Sequence, residues 1–284
     1  MEFIDRMYEH ARGREARLVF PELDEPRVAE AAARLGAEGL CVPVGLADVS
    51  EAQVAALVAA RGMKEAMARR LLAKPLYRAA AMVAAGEADG MVAGADSPTR
   101  RVIEAAAMAI GPDEGITVPS SFFVMLFPDG REMVFADCAV NVAPDAAQLA
   151  DIALASARSA EALFGVARVA MLSFSTGTSG AGASVDRVAE AAERAGFPGP
   201  VQADAALNPL IAAKKGITGA EPANVLIFPD LDAGNIAYKL CQELAGAQAL
   251  GPFLQGFRRP VCDLSRGARV EDIVASAVVT AAMG

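Results

Sequence analysis

The chain has 284 residues, of which 54% are hydrophobic, and it carries a formal net charge of −9 at pH 7. This length allows one large α/β domain or two lobes, and the acidic balance argues against nucleic acid as a partner. No apolar run approaches the roughly 20 residues that span a bilayer, and the first residues lack the core of a signal peptide. We therefore expect a cytoplasmic protein without a membrane partner.

The chain contains one histidine and four cysteines, which limits the chemistry it can use. His10 lies near the N-terminus, so a Ser-His-Asp or Cys-His catalytic arrangement is not expected. Cys41, Cys138, Cys241 and Cys262 are far apart, form no C-x-x-C pair and show no metal-ligand spacing. They are predicted to be buried thiols in a reducing compartment. Any proton transfer must then use a carboxylate, Lys, Tyr, Cys or the substrate itself.

Short apolar runs of strand length alternate with longer helical patterns, which is typical of βαβ construction. In the first part of the chain the pattern predicts strands at 17–21, 40–44 and 88–93, and helices at 27–35, 51–61, 64–85 and 100–110. Gly62 is the predicted break between the second and third of these helices.

From Ser121 onward the pattern favours paired strands. Strands at 122–127 and 132–135 flank Pro128-Asp129-Gly130, and an Asp-Gly turn in that position is a hairpin signal. The remaining elements are helices at 146–163, 185–195, 208–214, 235–244 and 270–282, with strands at 168–173, 201–203 and 224–228 and strand ends at 249–252 and 260–261.

The run from Asp263 to Gly267 contains Ser265 and Arg266, and Asp272 follows six residues after the arginine. If this turn is ordered, a hydroxyl, a guanidinium and a carboxylate can converge on one small anionic substrate. Arg266 offers a planar fork of donors that fits phosphate or carboxylate. Ser265 is a donor beside it, and Asp272 is a candidate proton acceptor.

A purely structural interpretation of the same residues is also open. Ser265 could cap the terminal helix, Asp272 could lie in its first turn near the positive end of the dipole, and Arg266 could be a surface charge. Spacing alone does not decide between the two interpretations.

A resemblance favours the first interpretation. The segment 251–267 resembles the closing motif of the phosphate acetyltransferase (phosphotransacetylase) family, whose members are phosphate acyltransferases. Further segments resemble the same family in order along nearly the whole chain, namely 20–27, 88–95, 120–123, 135–141, 169–178, 202–206 and 227–239.

The resemblance implies a fold of two α/β/α lobes with an active-site cleft between them, an architecture like that of isocitrate and isopropylmalate dehydrogenases. It places the first lobe at 1–114 plus 258–284 and the second at 115–257, with the C-terminal helix rejoining the first lobe. It also implies a homodimer.

The implied reaction converts acetyl phosphate and coenzyme A into acetyl-CoA and phosphate, reversibly. Coenzyme A is then a substrate, and neither a cofactor nor a metal is expected. By the resemblance, Asp272 takes the thiol proton, Arg266 binds the phosphate and stabilises charge on the carbonyl oxygen, and Ser265 donates a hydrogen bond. Because ordinary Asp and thiol pKa values differ by about 4.6 units, or roughly 6 kcal/mol, the pKa of Asp272 should be raised, the thiolate should be stabilised by Arg266, or both.

The loop 173–180 follows a predicted buried strand, where ligands of α/β sheets bind. Its candidate binding residues are Ser175, Thr176, Gly177 and Thr178, because small residues let backbone N–H groups approach an oxyanion and hydroxyls add donors. The loop lacks the Gly-Lys-Ser/Thr ending of a Walker sequence. The resemblance adds Asn235, at the predicted start of a helix.

The chain departs from the family at one basic position. Members often carry an arginine in the helix after the 88–95 segment, where this chain has Glu104. Arg100 or Arg101, one turn earlier, could substitute, and Arg101 is the predicted substrate-binding residue. The departure leaves open which basic residues hold coenzyme A.

Three alternatives remain beside acetyl transfer. The enzyme could act on propionyl or butyryl phosphate, since pocket volume alone decides chain length. A non-catalytic acyl-CoA-sensing regulatory module is a second possibility, against which stand the initial Met1 and the retention of Ser265, Arg266 and Asp272. A metal-dependent 2-hydroxyacid dehydrogenase of related fold would need clustered aspartates and an adenine-nucleotide site, and the sequence shows neither.

Overall fold

The computed structural model describes residues 3–217, 219 and 221–283. It contains two compact α/β units, one formed by Met1–Glu114 with Leu250–Gly284 and the other by Gly115–Ala249. The predicted α/β class is confirmed. Within the described ranges, no helix combines the length and the apolar character that crossing a membrane requires.

The helices and strands follow each other along the chain in a mostly alternating order. They are α1 (Phe3–Arg12), β1 (Arg17–Val19), α2 (Pro26–Ala37), β2 (Val42–Val44), α3 (Glu51–Arg61), α4 (Glu65–Leu72), α5 (Pro75–Ala84), β3 (Gly90–Ala93), α6 (Thr99–Ala109), β4 (Ser120–Leu126), β5 (Glu132–Ala136), α7 (Ala146–Phe164), β6 (Val169–Met171), α8 (Ala183–Ala195), α9 (Ala203–Leu207), α10 (Pro209–Lys214), β7 (Val225–Ile227), α11 (Leu231–Ala245), β8 (Gln248–Gln255), β9 (Val261–Asp263) and α12 (Val270–Met283).

In the first unit the strands run in the order β2-β1-β3-β9-β8. The first four are parallel, and β8 is antiparallel to β9. The register pairs Ala93 with Asp263, so the carboxyl ends of β3 and β9 lie side by side. Helix α12, whose Ile273, Val274 and Ala277 are fully buried, packs against α1 and α2 and against these strands. The sheet edge that carries Asp263 therefore rests on a rigid apolar layer.

In the second unit the strands run in the order β4-β5-β7-β6. The predicted hairpin is confirmed, because β4 and β5 are antiparallel partners joined through Asp129-Gly130. β5, β7 and β6 are parallel. Phe123, Phe135 and Phe228 form part of the buried apolar core on this sheet, and α7 packs against its strands.

The helix predicted at 64–85 is wrong as a single element. Two helices, α4 and α5, occupy it, and α5 begins at Pro75. Lys74 is extended, with φ −90° and ψ 129°, because the proline ring disfavours helical backbone in the residue before it. The predicted break at Gly62 is confirmed, since this glycine ends α3 in the left-handed conformation.

Three other local predictions differ from the structure. Helix α1 was not predicted, although Phe3, Met7 and Ala11 recur at helical spacing and are buried. The strand at 201–203 is wrong, because Val201 makes one isolated bridge and Ala203 already opens α9. Helix α11 begins four residues before the predicted start, since the Asp230 carboxylate accepts the backbone N–H of Ala233 and caps the helix.

Candidate active site

The turn between β9 and α12 presents two of the predicted catalytic side chains. The N–H of Leu264 donates to the carbonyl of Ala93 at 2.6 Å, which anchors the start of the turn. The N–H of Ala268 donates to the carbonyl of Ser265 at 2.9 Å, and the Ser265 Oγ accepts the N–H of Gly267 at 3.3 Å. The backbone of the turn is thereby closed, while Ser265 and Arg266 are exposed.

The turn is also held by an arginine from the N-terminal motif. Arg27 Nη1 donates to the carbonyls of Arg266 at 3.0 Å and Ala268 at 2.7 Å. Glu25 fixes this arginine through a 2.9 Å ion pair with Nε, and the bond with Arg27 holds the pKa of Glu25 below its ordinary value. Two segments more than two hundred residues apart thus build one turn, and Arg27 orients the backbone that carries Arg266.

Asp272 does not pair with Ser265 or Arg266 in the described structure. Its Oδ2 accepts the backbone N–H of Arg269 at 3.0 Å and the Nε of the same residue at 3.2 Å. Burial acts to raise the pKa of Asp272, but the bonds and charge of Arg269 outweigh it and the pKa lies below its ordinary value. The expected raised pKa of Asp272 is therefore wrong for this state, and the carboxylate stands in the first turn of α12 as the structural interpretation held.

The structural interpretation is wrong for Ser265. Helix α12 begins at Val270, so Ser265 lies five residues before it and accepts a hydrogen bond inside its own turn. Across residues 3–217, 219 and 221–283, the Arg266 guanidinium donates to no carboxylate. Its five donors are consequently available to an anion.

Arg101 lies on α6 and lines a cavity of about 490 Å³ in the first unit. The cavity is lined by Lys74, Pro75, Leu76, Tyr77, Ser97, Arg101 and Glu104. Arg100 Nε donates to the Glu104 carboxylate at 2.8 Å, and the Lys74 ammonium lies 5.3 Å from the centre of the Tyr77 ring. Arg101 has no carboxylate partner in the described part of the chain, so it is the free guanidinium of this cavity.

The loop 173–180 of the second unit directs part of its polar chemistry inward. Ser175 is fully buried, and its Oγ accepts the N–H of Gly180 at 2.8 Å and lies 3.2 Å from the carbonyl of Gly177. Thr176 Oγ1 donates to Gln202 Oε1 and accepts the N–H of Gln202, both at 3.1 Å. In this conformation the hydroxyls of Ser175 and Thr176 hold the loop together. Gly177 and Thr178 are exposed, and their role in substrate binding remains a prediction.

Asn235 lies within α11 and donates from Nδ2 to the carbonyl of Cys138 at 3.1 Å. That carbonyl belongs to a loop organised by Asp137, whose carboxylate accepts backbone N–H groups from Ala139, Val140 and Asn141 and the hydroxyl of Ser121. Asn235 therefore fixes a loop in the second unit, and a contact with substrate remains a prediction.

Two residues that follow Asn235 on the same helix contact each other and the core of the second unit. The Tyr238 ring stacks on Phe123 with centroids 4.3 Å apart. The Lys239 ammonium lies over the Tyr238 ring, 4.9 Å from its centre. Ser265, Arg266, Asp272 and Arg101 all belong to the first unit, whereas the other candidates belong to the second.

A cluster of two carboxylates and a threonine hydroxyl lies next to the turn, and residue spacing predicts no role for it. Asp263, two residues before Ser265, is 2% exposed and accepts the Thr99 hydroxyl at 2.5 Å. Glu22 lies near it and accepts the backbone N–H groups of Gly94, Ala95 and Ser97. Burial raises the pKa of Asp263 to about 6, with the Glu22 charge acting in the same direction and the Thr99 bond opposing it. The sequence gives one signal for this carboxylate, namely its place at the end of the apolar run that forms β9.

The described residues contain no group of three or more His, Cys, Asp or Glu side chains placed to hold a metal ion. They give no support to the metal-dependent dehydrogenase alternative. The four cysteines are free thiols; three are buried as predicted, and Cys241 is only partly buried.

The family described as phosphate acetyl/butaryl transferase matches residues 47–281. A phosphate acetyltransferase of Paracoccus denitrificans is 40% identical over 316 residues, covering 99% of each chain. A solved phosphotransacetylase from Streptococcus pyogenes is 36% identical with a TM-score of 0.91, covering 99% of this chain and 97% of its own. The chain belongs to the phosphate acetyl/butyryl transferase family, and the resemblance drawn from its motifs is confirmed.

Relatives differ in length from this chain. The phosphate acetyltransferase of Haemophilus influenzae is 40% identical over 97% of this chain, which spans only 44% of that relative. The match with the Paracoccus protein extends over more positions than the 284 residues of this chain, so that relative contains segments that this chain lacks.

A more distant likeness concerns the fold alone. A putative 4-hydroxythreonine-4-phosphate dehydrogenase from Salmonella typhimurium matches with a TM-score of 0.51 at 13% identity, covering 95% of this chain and 99% of its own. The dehydrogenase-like class of fold predicted from the resemblance is therefore confirmed.

Proposed function

We propose that the protein is a phosphate acetyltransferase that moves an acetyl group reversibly between acetyl phosphate and coenzyme A. The observation that carries this proposal is the clamped turn of a family member, on which Ser265 and Arg266 are exposed while their backbone is held by Arg27. A turn fixed in this way presents a guanidinium at low entropic cost, which is what transition-state stabilisation requires.

In the proposed reaction the thiol sulfur of coenzyme A forms a bond to the acyl carbon. The bond between that carbon and the bridging phosphate oxygen breaks, and the electron pair leaves with the phosphate. The thiol proton passes to a carboxylate and ends on the departing phosphate, so no oxidant or reductant is needed. Arg266 binds the phosphate and the developing oxyanion, and Ser265 donates a hydrogen bond in the same step.

The lowered pKa of Asp272 makes it a weaker base, which limits how it can accept the thiol proton. A carboxylate of low pKa accepts a thiol proton only if the thiol is made more acidic. Of the two routes open from the sequence, stabilisation of the thiolate by the Arg266 cation is the one consistent with this geometry. We therefore assign Asp272 as a proton acceptor that depends on Arg266.

The substrate contacts of Arg101, Gly177, Thr178 and Asn235 belong to the same proposal. Arg101 is assigned to coenzyme A because its guanidinium is free in a cavity that also contains Lys74. We also propose a homodimer, a cytoplasmic location and a reaction without a cofactor, on the strength of the family resemblance and not of any contact in the structure.

The test is thioester formation, followed by its absorbance, from purified protein, coenzyme A and acetyl phosphate without added metal. We expect turnover that Arg266→Ala and Asp272→Asn each abolish. If Asp272→Asn kept near-full turnover, Asp272 would not be the base, although the proposed reaction would stand.

Parallel assays with propionyl and butyryl phosphate show which acyl chain the protein prefers. Faster turnover with either would make the protein a phosphate propionyl or butyryl transferase. A folded protein that binds coenzyme A but turns over none of the three phosphates would contradict catalysis and favour an acyl-CoA-sensing module.

A further inference from the structure

Asp263 is the buried acid closest in sequence to the exposed pair of the turn. It ends β9, and its Oδ2 accepts the Thr99 hydroxyl at the start of α6. Its Oδ1 is buried and has no hydrogen-bond partner among the residues that the structure describes. A half-satisfied carboxylate in this position is costly to bury as an anion, so its protonation state matters to the surrounding structure.

The backbone around Asp263 is shaped to admit it. Gly94 follows β3 with φ +105°, and a Cβ there would lie 2.5 Å from Asp263 Oδ1 and 2.7 Å from the backbone of Leu264. A side chain at Gly94 would displace either the carboxylate or the first residue of the turn. The loop after Gly94 is in turn held by three N–H groups that donate to Glu22.

We propose that Asp263 is a positioning residue for acyl transfer: its ionised carboxylate ties the start of α6 to the end of β9 and so holds Ser265 and Arg266 in their working geometry. The inference rests on the proposed function, and it adds a residue to which that function assigns no role. Asp263 touches neither substrate nor reacting atoms, because it is buried, and it acts through Thr99, Gly94 and Leu264.

Ionisation changes the strength of the tie. As an anion, Asp263 accepts a charge-assisted bond from Thr99, which is stronger than the bond that a neutral carboxyl accepts. Protonation weakens this bond and loosens the strand end two residues before Ser265. Since the pKa of Asp263 is about 6, the change falls within a pH range that can be assayed.

Few other groups that face Asp263 carry charge in the described structure. Glu22 is the charged neighbour, and Cys262 on the same strand is a neutral thiol whose pKa burial raises to about 12. β3 contributes Ala93 and Gly94, α6 contributes Thr99, and β8 pairs its uncharged Phe253 with Cys262. The opposed effects of Glu22 and Thr99 on one carboxyl allow its pKa to be moved in either direction.

The experiment compares the pH dependence of kcat and KM for thioester formation in wild type, Asp263→Asn, Thr99→Val and Glu22→Gln. Wild type should lose kcat below about pH 6. Asp263→Asn should lack this acid limb. Thr99→Val should also lack the limb, because no hydroxyl remains for the carboxylate to hold, whereas Glu22→Gln should keep it and move it to lower pH by about half a unit or more, with KM for coenzyme A changed less than kcat.

Ionisations of the substrates are common to all four proteins and cancel in the comparison. Asp129→Asn, at the exposed tip of the hairpin, is the matched control and should keep the wild-type profile. If Asp263→Asn does not fold, the lost limb of Thr99→Val and the shifted limb of Glu22→Gln still test the proposal. An unmoved acid limb in Asp263→Asn or Thr99→Val, or a limb moved to higher pH in Glu22→Gln, would overturn it.

Urea unfolding of wild type and Asp263→Asn across the same pH range reads the pKa of Asp263 without any turnover. A wild-type protein that forms no thioester at any pH would contradict the proposed function, while urea unfolding would still measure the pKa of Asp263. A normal thioester assay with pH-independent differences between the variants would contradict the positioning role alone.

Discussion

The turn at 265–269 and the loop at 173–180 both match family motifs and both carry hydroxyl groups, yet the structure uses them in different ways. The turn has its carbonyls satisfied from outside by Arg27, which leaves Ser265 and Arg266 exposed. The loop satisfies itself from within through the buried Ser175. Of the two serines, the exposed one is therefore the one whose neighbouring carbonyls are bound by a distant side chain, while the buried one binds the backbone of its own loop.

The largest expected effect concerns Arg266. Arg266→Lys keeps the charge but loses the planar fork, and kcat for thioester formation should fall on the order of 10²-fold or more. Arg194→Lys in the second unit, whose arginine pairs with Glu190 on the surface, is the control and should match wild type. Equal kinetics for both lysine variants would contradict the role assigned to Arg266.

The next effect tests whether the turn needs its clamp. Arg27→Lys cannot reach both carbonyls, so we expect kcat to fall roughly 10- to 100-fold through displacement of the turn. Arg34→Lys lies on the same helix and loses only an exposed ion pair with Glu38, so it should change kcat little. If the two variants were equally active, the difference between turn and loop would not depend on Arg27.

A pair of serine variants compares the two regions directly. Ser265→Ala should reduce kcat about tenfold or more with a free energy of unfolding within about 0.5 kcal/mol of wild type. Ser175→Ala should instead lose about 1–3 kcal/mol of stability, because the N–H of Gly180 is left unsatisfied. Urea unfolding and thioester assays on both proteins measure the contrast, and a stability loss confined to Ser265→Ala would reverse it.

The last prediction concerns the pH dependence of stability at two aspartates of the first unit, and the signs of the two effects differ. The folded pKa of Asp263 is raised from 3.8 to about 6, so its contribution to stability is present below about pH 4 and is lost as pH rises through 6. Relative to Asp263→Asn, wild type should lose roughly 3 kcal/mol across that window.

The folded pKa of Asp272 is lowered, so its contribution is present above the unfolded pKa and is lost as pH falls through the folded value. Its side chain is 40% exposed, and solvent screening keeps the contribution under about 1 kcal/mol. Unfolding curves of Asp272→Asn should therefore approach those of wild type only in acid. The same sign of pH dependence for both variants would show that the two carboxyls do not differ as described.

Much of the fold could be predicted from the sequence because its elements are locally consistent. Apolar runs predict strands, Asp129-Gly130 predicts the hairpin turn and Gly62 predicts a helix end, each from the residues of that segment alone. Pro75 was a local signal too, but the continuous apolar pattern around it favoured one helix. Helix α1 could not be identified from its charges alone, since Phe3 and Met7 are buried by α12, which lies at the other end of the chain.

The sequence identifies which residues belong to the candidate site, but not what each of them does there. Ser265, Arg266 and Asp272 lie close together in sequence, so a motif identifies them. The contacts that give them their roles come from Arg27, Thr99 and Glu22, more than 150 residues away. The positions of the turn and of Asp263 depend on these distant partners, about which residue spacing holds no information, whereas Asp272 pairs with Arg269 only three residues before it.

The first unit is discontinuous, since residues 250–284 complete a body begun by 1–114. A ribosome releases the whole of 115–249 before it supplies β9 and α12. The second unit can therefore finish folding during synthesis, while the first waits with β3 and α2 lacking their final neighbours. The turn at 265–269 is therefore completed only after the whole of the second unit has been synthesised.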